Sequence, residues 1–164
     1  MLTALVADAG GEPIVLDPHP ERLAAARRFG AAHTIQATRG PGDIAAAREH
    51  RPNLVIEAVG RPEAWELAVQ MAEPGGTVSL FGGCARDSTF TVPTARVHYE
   101  EVTLTGTYHH APGYLARALD TLAAARHPWV ELYGAEITLD ELPAALAAPS
   151  PPKYAVSPRV DTHL

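Results

Sequence analysis

Short apolar runs alternate with amphipathic stretches along most of this chain. Residues 1–9, MLTALVADA, are rich in helix formers, and Gly10-Gly11 stops them. Residues 13–16 form a short apolar run that meets an acid, Asp17, before the turn Pro18 to Pro20. The spacing then predicts a helix over 21–29, closed by Gly30, and a second strand over 32–35. A turn at 39–43 leads to a helix over 44–49 with Asp43 as its N-cap. Residues 53–59, NLVIEAV, are nearly continuous in apolar side chains, as in a strand covered on both faces, and Gly60 ends them. Pro62 stands at the first turn of a helix over 63–72 that directs Trp65, Leu67, Ala68 and Met71 inward. After Pro74-Gly75-Gly76 comes a strand over 77–81, ending on Gly82-Gly83. Residues 84–97 show no period and read as irregular. A strand over 102–108 and a helix from Pro112 to about Ala125 follow. Residues 130–139 offer one or two short strands. A short helix over 140–148 with Asp140 as cap, a proline-rich linker at 149–152, a last strand over 153–156 and a polar tail complete the chain.

Strands and helices alternating at this spacing imply an α/β fold with a doubly wound parallel sheet. The chain has 164 residues, enough for one domain with a real core. It is 46% apolar and 20% charged, as an ordinary globular protein is. A net charge of -6 argues against nucleic acid or an anionic membrane as the main partner. No apolar run approaches the roughly 18 residues of a membrane span, and Met1 to Ala9 carries no basic leader region. The single cysteine, Cys84, excludes an internal disulfide and a cysteine-only zinc site. These features together predict a cytoplasmic protein.

In a parallel α/β sheet, ligands bind outside the carboxyl ends of the strands. Asp17 stands at such an end, where a carboxylate accepts hydrogen bonds from a ribose diol. A surface turn acid before Pro18 is the plainer alternative. No arginine follows Asp17 directly, which favours NAD over NADP. Arg22 is placed to lie over the adenosine ribose, or else is a solvated helix charge. Gly60 and Gly82-Gly83 close two further strands and permit close backbone approach to a ligand; each alone is also ordinary turn chemistry. His109 and His110 end the last strong strand, where one of them could stand beside a nicotinamide ring. Neighbouring strand residues face opposite sides, so the pair does not make a metal site. Glu57, an acid inside an apolar run, reads as a strand-end hydrogen-bonding group, because a buried acid needs partners. There is no nucleophile elbow, no Ser-His-Asp spacing and no phosphate loop, since Gly40-Pro41-Gly42 lacks a following Lys-Ser/Thr.

Taken in order, PIVLDPHPERLAAARRFGAAHTI, NLVIEAVG, PGGTVSLFGG and EEVTLTGTYHH resemble the cofactor-binding half of zinc-type medium-chain alcohol dehydrogenases, the group that includes sorbitol- and threonine-dehydrogenase-like members. The resemblance covers about residues 1–156. It implies a Rossmann-like cofactor-binding domain over 1–129, with 130–164 returning to a catalytic domain. It implies that Asp17 binds the adenosine ribose and Arg22 flanks it. Ala58 and Val59 would line the adenine side, and Phe81, Gly82 and Gly83 would pass under the nicotinamide ribose. Thr107, Tyr108 and His109 would lie near the carboxamide, and strand 102–108 would be the edge through which two copies pair. The implied function is cofactor binding in an NAD(P)-dependent oxidoreductase that moves hydride between an alcohol or polyol and nicotinamide, with NAD the expected cofactor.

The departures from that family are large. The family's first strand, its Gly-x-Gly-x-x-Gly turn and its zinc ligands have no counterpart here, and Met1-Leu2-Thr3 looks like the interior of the helix after that turn. The chain is therefore expected to be a fragment, with no catalytic residue of its own and with zinc confined to the missing domain. It is also expected to bind NAD weakly or not at all. A zinc-free quinone-reductase-like relative is a variant of this reading. An S-adenosylmethionine methyltransferase also places an acid at a second strand end, but fits Gly82-Gly83 and LTGTYHH less well. A degenerate dimerisation module or gene remnant predicts no ligand.

Overall fold

The computed structural model describes residues 1–38, 40–147 and 153–157. It divides into two compact units, Met1–Ala111 and Pro112–Leu164. In the first unit, α1 (Leu2–Asp8) leads to β1 (Ile14–Asp17), α2 (Pro20–Arg28) and β2 (His33–Gln36). Next come α3 (Pro41–Arg48), β3 (Leu54–Glu57), α4 (Pro62–Met71), β4 (Thr77–Leu80), α5 (Thr94–His98) and β5 (Thr103–Gly106). The alternation expected of a parallel α/β fold is present, and every strand pairing is parallel.

The pairing has a break in it. β1 pairs with β2, and β3 with β4 and then β5, as two separate sheets. Among the described residues, β1 and β3 are not hydrogen-bonded to each other or to a common strand. Each therefore has one bonded neighbour, and neither is covered as its apolar composition suggested. Ile14, Val15 and Leu16 are half-buried, and Leu54 is exposed. The joint between the sheets is helical. α3 packs against both β2 and α4, and Arg48 Nε donates to the Gln70 carbonyl of α4 at 2.7 Å.

The larger core lies under β3–β5. Ala68 and Ala72 at the end of α4 meet Val78, Leu80 and Val102, with Val55, Trp65, Phe90 and Leu104 around them. Trp65 and Phe90 meet edge to face at 5.1 Å. The buried line of α4 runs through Ala68, Val69 and Ala72, while Leu67 and Met71 are only half-buried. Small residues are buried there because they let the helix approach the sheet closely. A smaller patch, Leu23, Ala26 and Phe29, is buried where α2 packs against β1 and β2.

Two local readings are corrected. Asp43 is the third residue of α3, not its cap. Its buried carboxylate reaches back to the Thr38 N–H at 2.9 and 3.0 Å and to the Thr38 hydroxyl at 2.9 Å, tying the first turn of the helix to the segment before it. The stretch read as irregular contains α5, five residues long and too short to show a period. It is held by Arg96, whose buried side chain donates to the carbonyls of Val69 and Ala72 and pairs with Glu100.

The second unit contains α6 (Pro112–Ala123), a 3-10 turn (Trp129–Leu132), β6 (Tyr133–Thr138), α7 (Leu142–Ala147) and β7 (Lys153–Ser157). β6 and β7 pair in parallel. α7 starts beyond Asp140, and Glu141 accepts from the Thr138 N–H and hydroxyl at 2.8 and 3.0 Å. The expected linker at 149–152 and the tail beyond Ser157 lie outside the described residues.

Candidate cofactor site at the strand ends

Because β3, β4 and β5 run parallel and in register, Glu57, Leu80 and Gly106 stand side by side at their carboxyl ends. The segments that follow therefore leave from one edge. These are Ala58–Gly60, Phe81–Gly83 and Thr107–His109, so eight of the ten expected cofactor residues share that edge. Asp17 and Arg22 lie together at the carboxyl end of β1, in the other sheet.

The first two segments are locked to each other. Glu57 is buried, and its Oε1 accepts from the Val59 N–H at 2.6 Å and the Gly60 N–H at 3.1 Å. Its backbone carbonyl accepts from Phe81 N–H at 3.0 Å and Gly82 N–H at 2.8 Å. Trp65 Nε1 donates to the Gly82 carbonyl at 3.0 Å, tying the second turn to α4. The backbones touch so closely that a Cβ on Gly82 would fall 2.4 Å from the Gly60 nitrogen. Gly60 itself has φ +76, and a Cβ there would sit 2.6 Å from the Gly83 carbonyl oxygen. Val59 and Phe81 flank this double turn and are 69% and 54% exposed. Apolar side chains left open on a rigid polar backbone suit the flat faces of a heterocycle.

β5 ends at Gly106, so Thr107, Tyr108 and His109 lie past the strand rather than in it, and the facing rule invoked for the two histidines does not apply. The rings of Tyr108 and His109 meet at a tilt of 49° with centroids 3.7 Å apart, and His109 has φ +63, an uncommon left-handed value for a non-glycine. At β1, the Asp17 Oδ1 accepts from the His19 N–H at 2.8 Å, while Arg22 Nη1 stands 3.5 Å from Oδ2. The Asp17 side chain is 23% exposed, so its free lone pairs remain within reach of a ligand. Arg22 is more than half exposed.

Cys84, just past the double turn, has its thiol pKa pushed up by burial and then by the nearby Glu57 carboxylate; the Ser88 hydrogen bond opposes this, and Glu63 adds to it. Among the described residues, no group of three or more His, Cys, Asp or Glu side chains converges, so no described donor set fits zinc. The open Val59 and Phe81 beside this fixed double turn, and the accessible Asp17, do fit a dinucleotide. Sequence reasoning missed the part played by Trp65, taken only as core. An indole with one N–H among apolar neighbours was the available signal. It missed Arg96 because that residue lies in a stretch without periodicity.

Comparison with known proteins agrees with this architecture. The family model described as "zinc-binding dehydrogenase" matches residues 1–124. Galactitol 1-phosphate 5-dehydrogenase of Escherichia coli K12 is 33% identical over 97 residues, covering 57% of this chain and 28% of that protein. A crystal structure of galactitol-1-phosphate dehydrogenase from Escherichia coli matches with a TM-score of 0.74 at 23% identity, over 88% of this chain and 44% of that one. A protein of Sinorhizobium meliloti 1021 assigned as a zinc-binding dehydrogenase, solved bound to NADP, matches with a TM-score of 0.84 at 21% identity, over 95% of this chain and 48% of that one. The 2R,3R-butanediol dehydrogenase of Bacillus subtilis gives 0.79 at 18% identity, over 96% and 47%. The chain thus spans about half the length of these solved relatives and under a third of the curated one. With the parallel α/β topology and a family match over most of its length, the chain belongs to the zinc-binding dehydrogenase family.

Proposed function

We propose that residues 1–129 are the cofactor-binding part of an NAD(P)-dependent oxidoreductase that transfers hydride between an alcohol or polyol and nicotinamide, and that 130–164 lead toward its catalytic part. The supporting observation is Asp17: a carboxylate at a strand's carboxyl end, oriented by the His19 N–H and still partly open. It accepts the two ribose hydroxyls of the adenosine. Arg22 lies along the same ribose, with Ala58 and Val59 on the adenine side. Phe81, Gly82 and Gly83 run beneath the nicotinamide ribose, and Thr107, Tyr108 and His109 face the carboxamide. The nicotinamide supplies the hydride acceptor or donor; these residues bind and orient it. NAD is favoured over NADP, because a 2′-phosphate would meet the Asp17 carboxylate.

Two copies would pair through β5, which bonds only to β4 among the described strands. No helix of the described residues is long and apolar enough to cross a membrane, and we place the protein in the cytoplasm.

Titration of the purified chain with NADH, followed by backbone amide shifts, tests this reading. Binding is expected to be weak, since no described glycine-rich turn feeds a helix N-terminus for the pyrophosphate. The shifted amides should cluster at 17–22, 58–60, 81–83 and 107–109. Shifts that avoid all four segments at millimolar NADH refute the assignment. Stronger shifts with NADPH than with NADH would reverse the cofactor preference.

A further inference from the structure

Two strands of this protein end on an acid, and the two carboxylates are used in opposite ways. Asp17 spends one oxygen on a backbone N–H and leaves its side chain partly open. Glu57 is 5% exposed, and both its oxygens are turned onto the Gly60 N–H, with Oε1 also on Val59 N–H. No basic side chain forms an ion pair with Glu57 among the described residues. Its burial is compensated by backbone N–H groups alone, so the acid gains nothing from a charged partner.

Four N–H groups from two turns meet on this one residue. Val59 and Gly60 donate to its side chain, Phe81 and Gly82 to its main-chain carbonyl. The glycine backbones then leave no room for one turn to slide over the other. We propose that Glu57 is a positioning residue for a bound nicotinamide dinucleotide: it couples the 58–60 turn to the 81–83 turn, so that Val59 and Phe81 are presented to the ligand as one rigid surface. Glu57 is too deep to touch the ligand and acts through the two turns. The proposal rests on the cofactor reading above for the identity of the ligand, but the coupling itself does not.

Glu57→Gln keeps the shape and replaces one acceptor with an amide donor facing the Gly60 N–H. Amide hydrogen exchange and NADH titration of the full chain separate the outcomes. Exchange should quicken at least about tenfold at Val59 and Gly60 and also at Phe81 and Gly82, whose own acceptor is unchanged, while the β4–β5 ladder keeps its protection. NADH affinity should fall about tenfold. A residue with only a general stabilising role would raise exchange across the ladder equally, which overturns the proposal. So does faster exchange confined to Val59 and Gly60, or an affinity within twofold of the original. If NADH shifts no amide of the unmodified chain, the cofactor reading and the ligand named here fall together, and the exchange pattern still decides the coupling. Should Glu57→Gln fail to fold, Trp65→Phe removes the donor to Gly82 while keeping a ring against Phe90. It should loosen both turns together and weaken NADH several-fold; loosening of 81–83 alone overturns the coupling.

Discussion

Arg96 offers the clearest quantitative test of the fold. Its guanidinium is buried and donates from Nε and Nη2 to the Val69 carbonyl at 3.1 and 2.9 Å. Nη2 also donates to the Ala72 carbonyl, and Nη1 to Glu100. The last carbonyls of a helix have no partner within it, so this side chain closes the end of α4. Arg96→Met keeps most of the apolar stem and removes the donors. Two buried acceptors then lose this partner at about 1–3 kcal/mol each. Glu100, about a third exposed, turns to water and adds little. The expected loss is therefore about 2–6 kcal/mol, against a typical domain stability of about 5–15 kcal/mol. Arg96→Lys keeps the charge but loses the planar fork, and should fall between the two. Urea unfolding reports the change, with Trp129→Phe as background so that Trp65 alone signals the first unit. At a slope of about 1–1.5 kcal/mol per molar urea, the midpoint should drop by about 1.3 M or more. A midpoint within about 0.4 M of the parent refutes the capping role. If 1 M salt alone reproduced the loss, the ion pair with Glu100 would be the dominant contact, contrary to the reasoning here.

Gly82→Ala places a Cβ against the Gly60 nitrogen and the Glu57 carboxylate, both backed by fixed backbone, and should destabilise the first unit by about 2 kcal/mol or more, read as a lowered melting temperature. The Glu141 carboxyl is held below its usual value first by the Thr138 N–H and then by the Thr138 hydroxyl, with desolvation opposing. A lowered carboxyl pKa contributes stability above the unfolded value and loses it as pH falls through the folded one. The Thr138 amide shift should therefore titrate below the unperturbed 4.5, and Glu141→Gln should abolish that titration. The raised thiol pKa of Cys84 predicts alkylation by iodoacetamide at pH 8 slower than that of free cysteine; a rate equal to the free thiol contradicts it.

Much of this protein follows from sequence alone because local chemistry is strong where it is regular. Pro20 and Pro62 open their helices at the first position, and Gly30 ends its helix with a positive φ. The short apolar runs became parallel strands, with ends within a few residues of those expected. The order of these motifs also carried the family resemblance, and the place of Asp17 at the carboxyl end of a strand was legible because it depends on local sequence alone. What the linear pattern does not carry is which groups meet across the chain. Only the tertiary structure brought Glu57, Gly60 and Gly82 into one contact, since the bonds from Phe81 and Gly82 to the Glu57 carbonyl join different loops and depend on the parallel register of β3 and β4. Only packing made Arg96 a buried cap rather than a surface charge, through carbonyls 24 and 27 residues away. Likewise, apolar composition predicted that residues 53–59 would be covered on both faces. Their half-exposure was decided by pairing, because among the described residues β1 and β3 each found one bonded neighbour and not two.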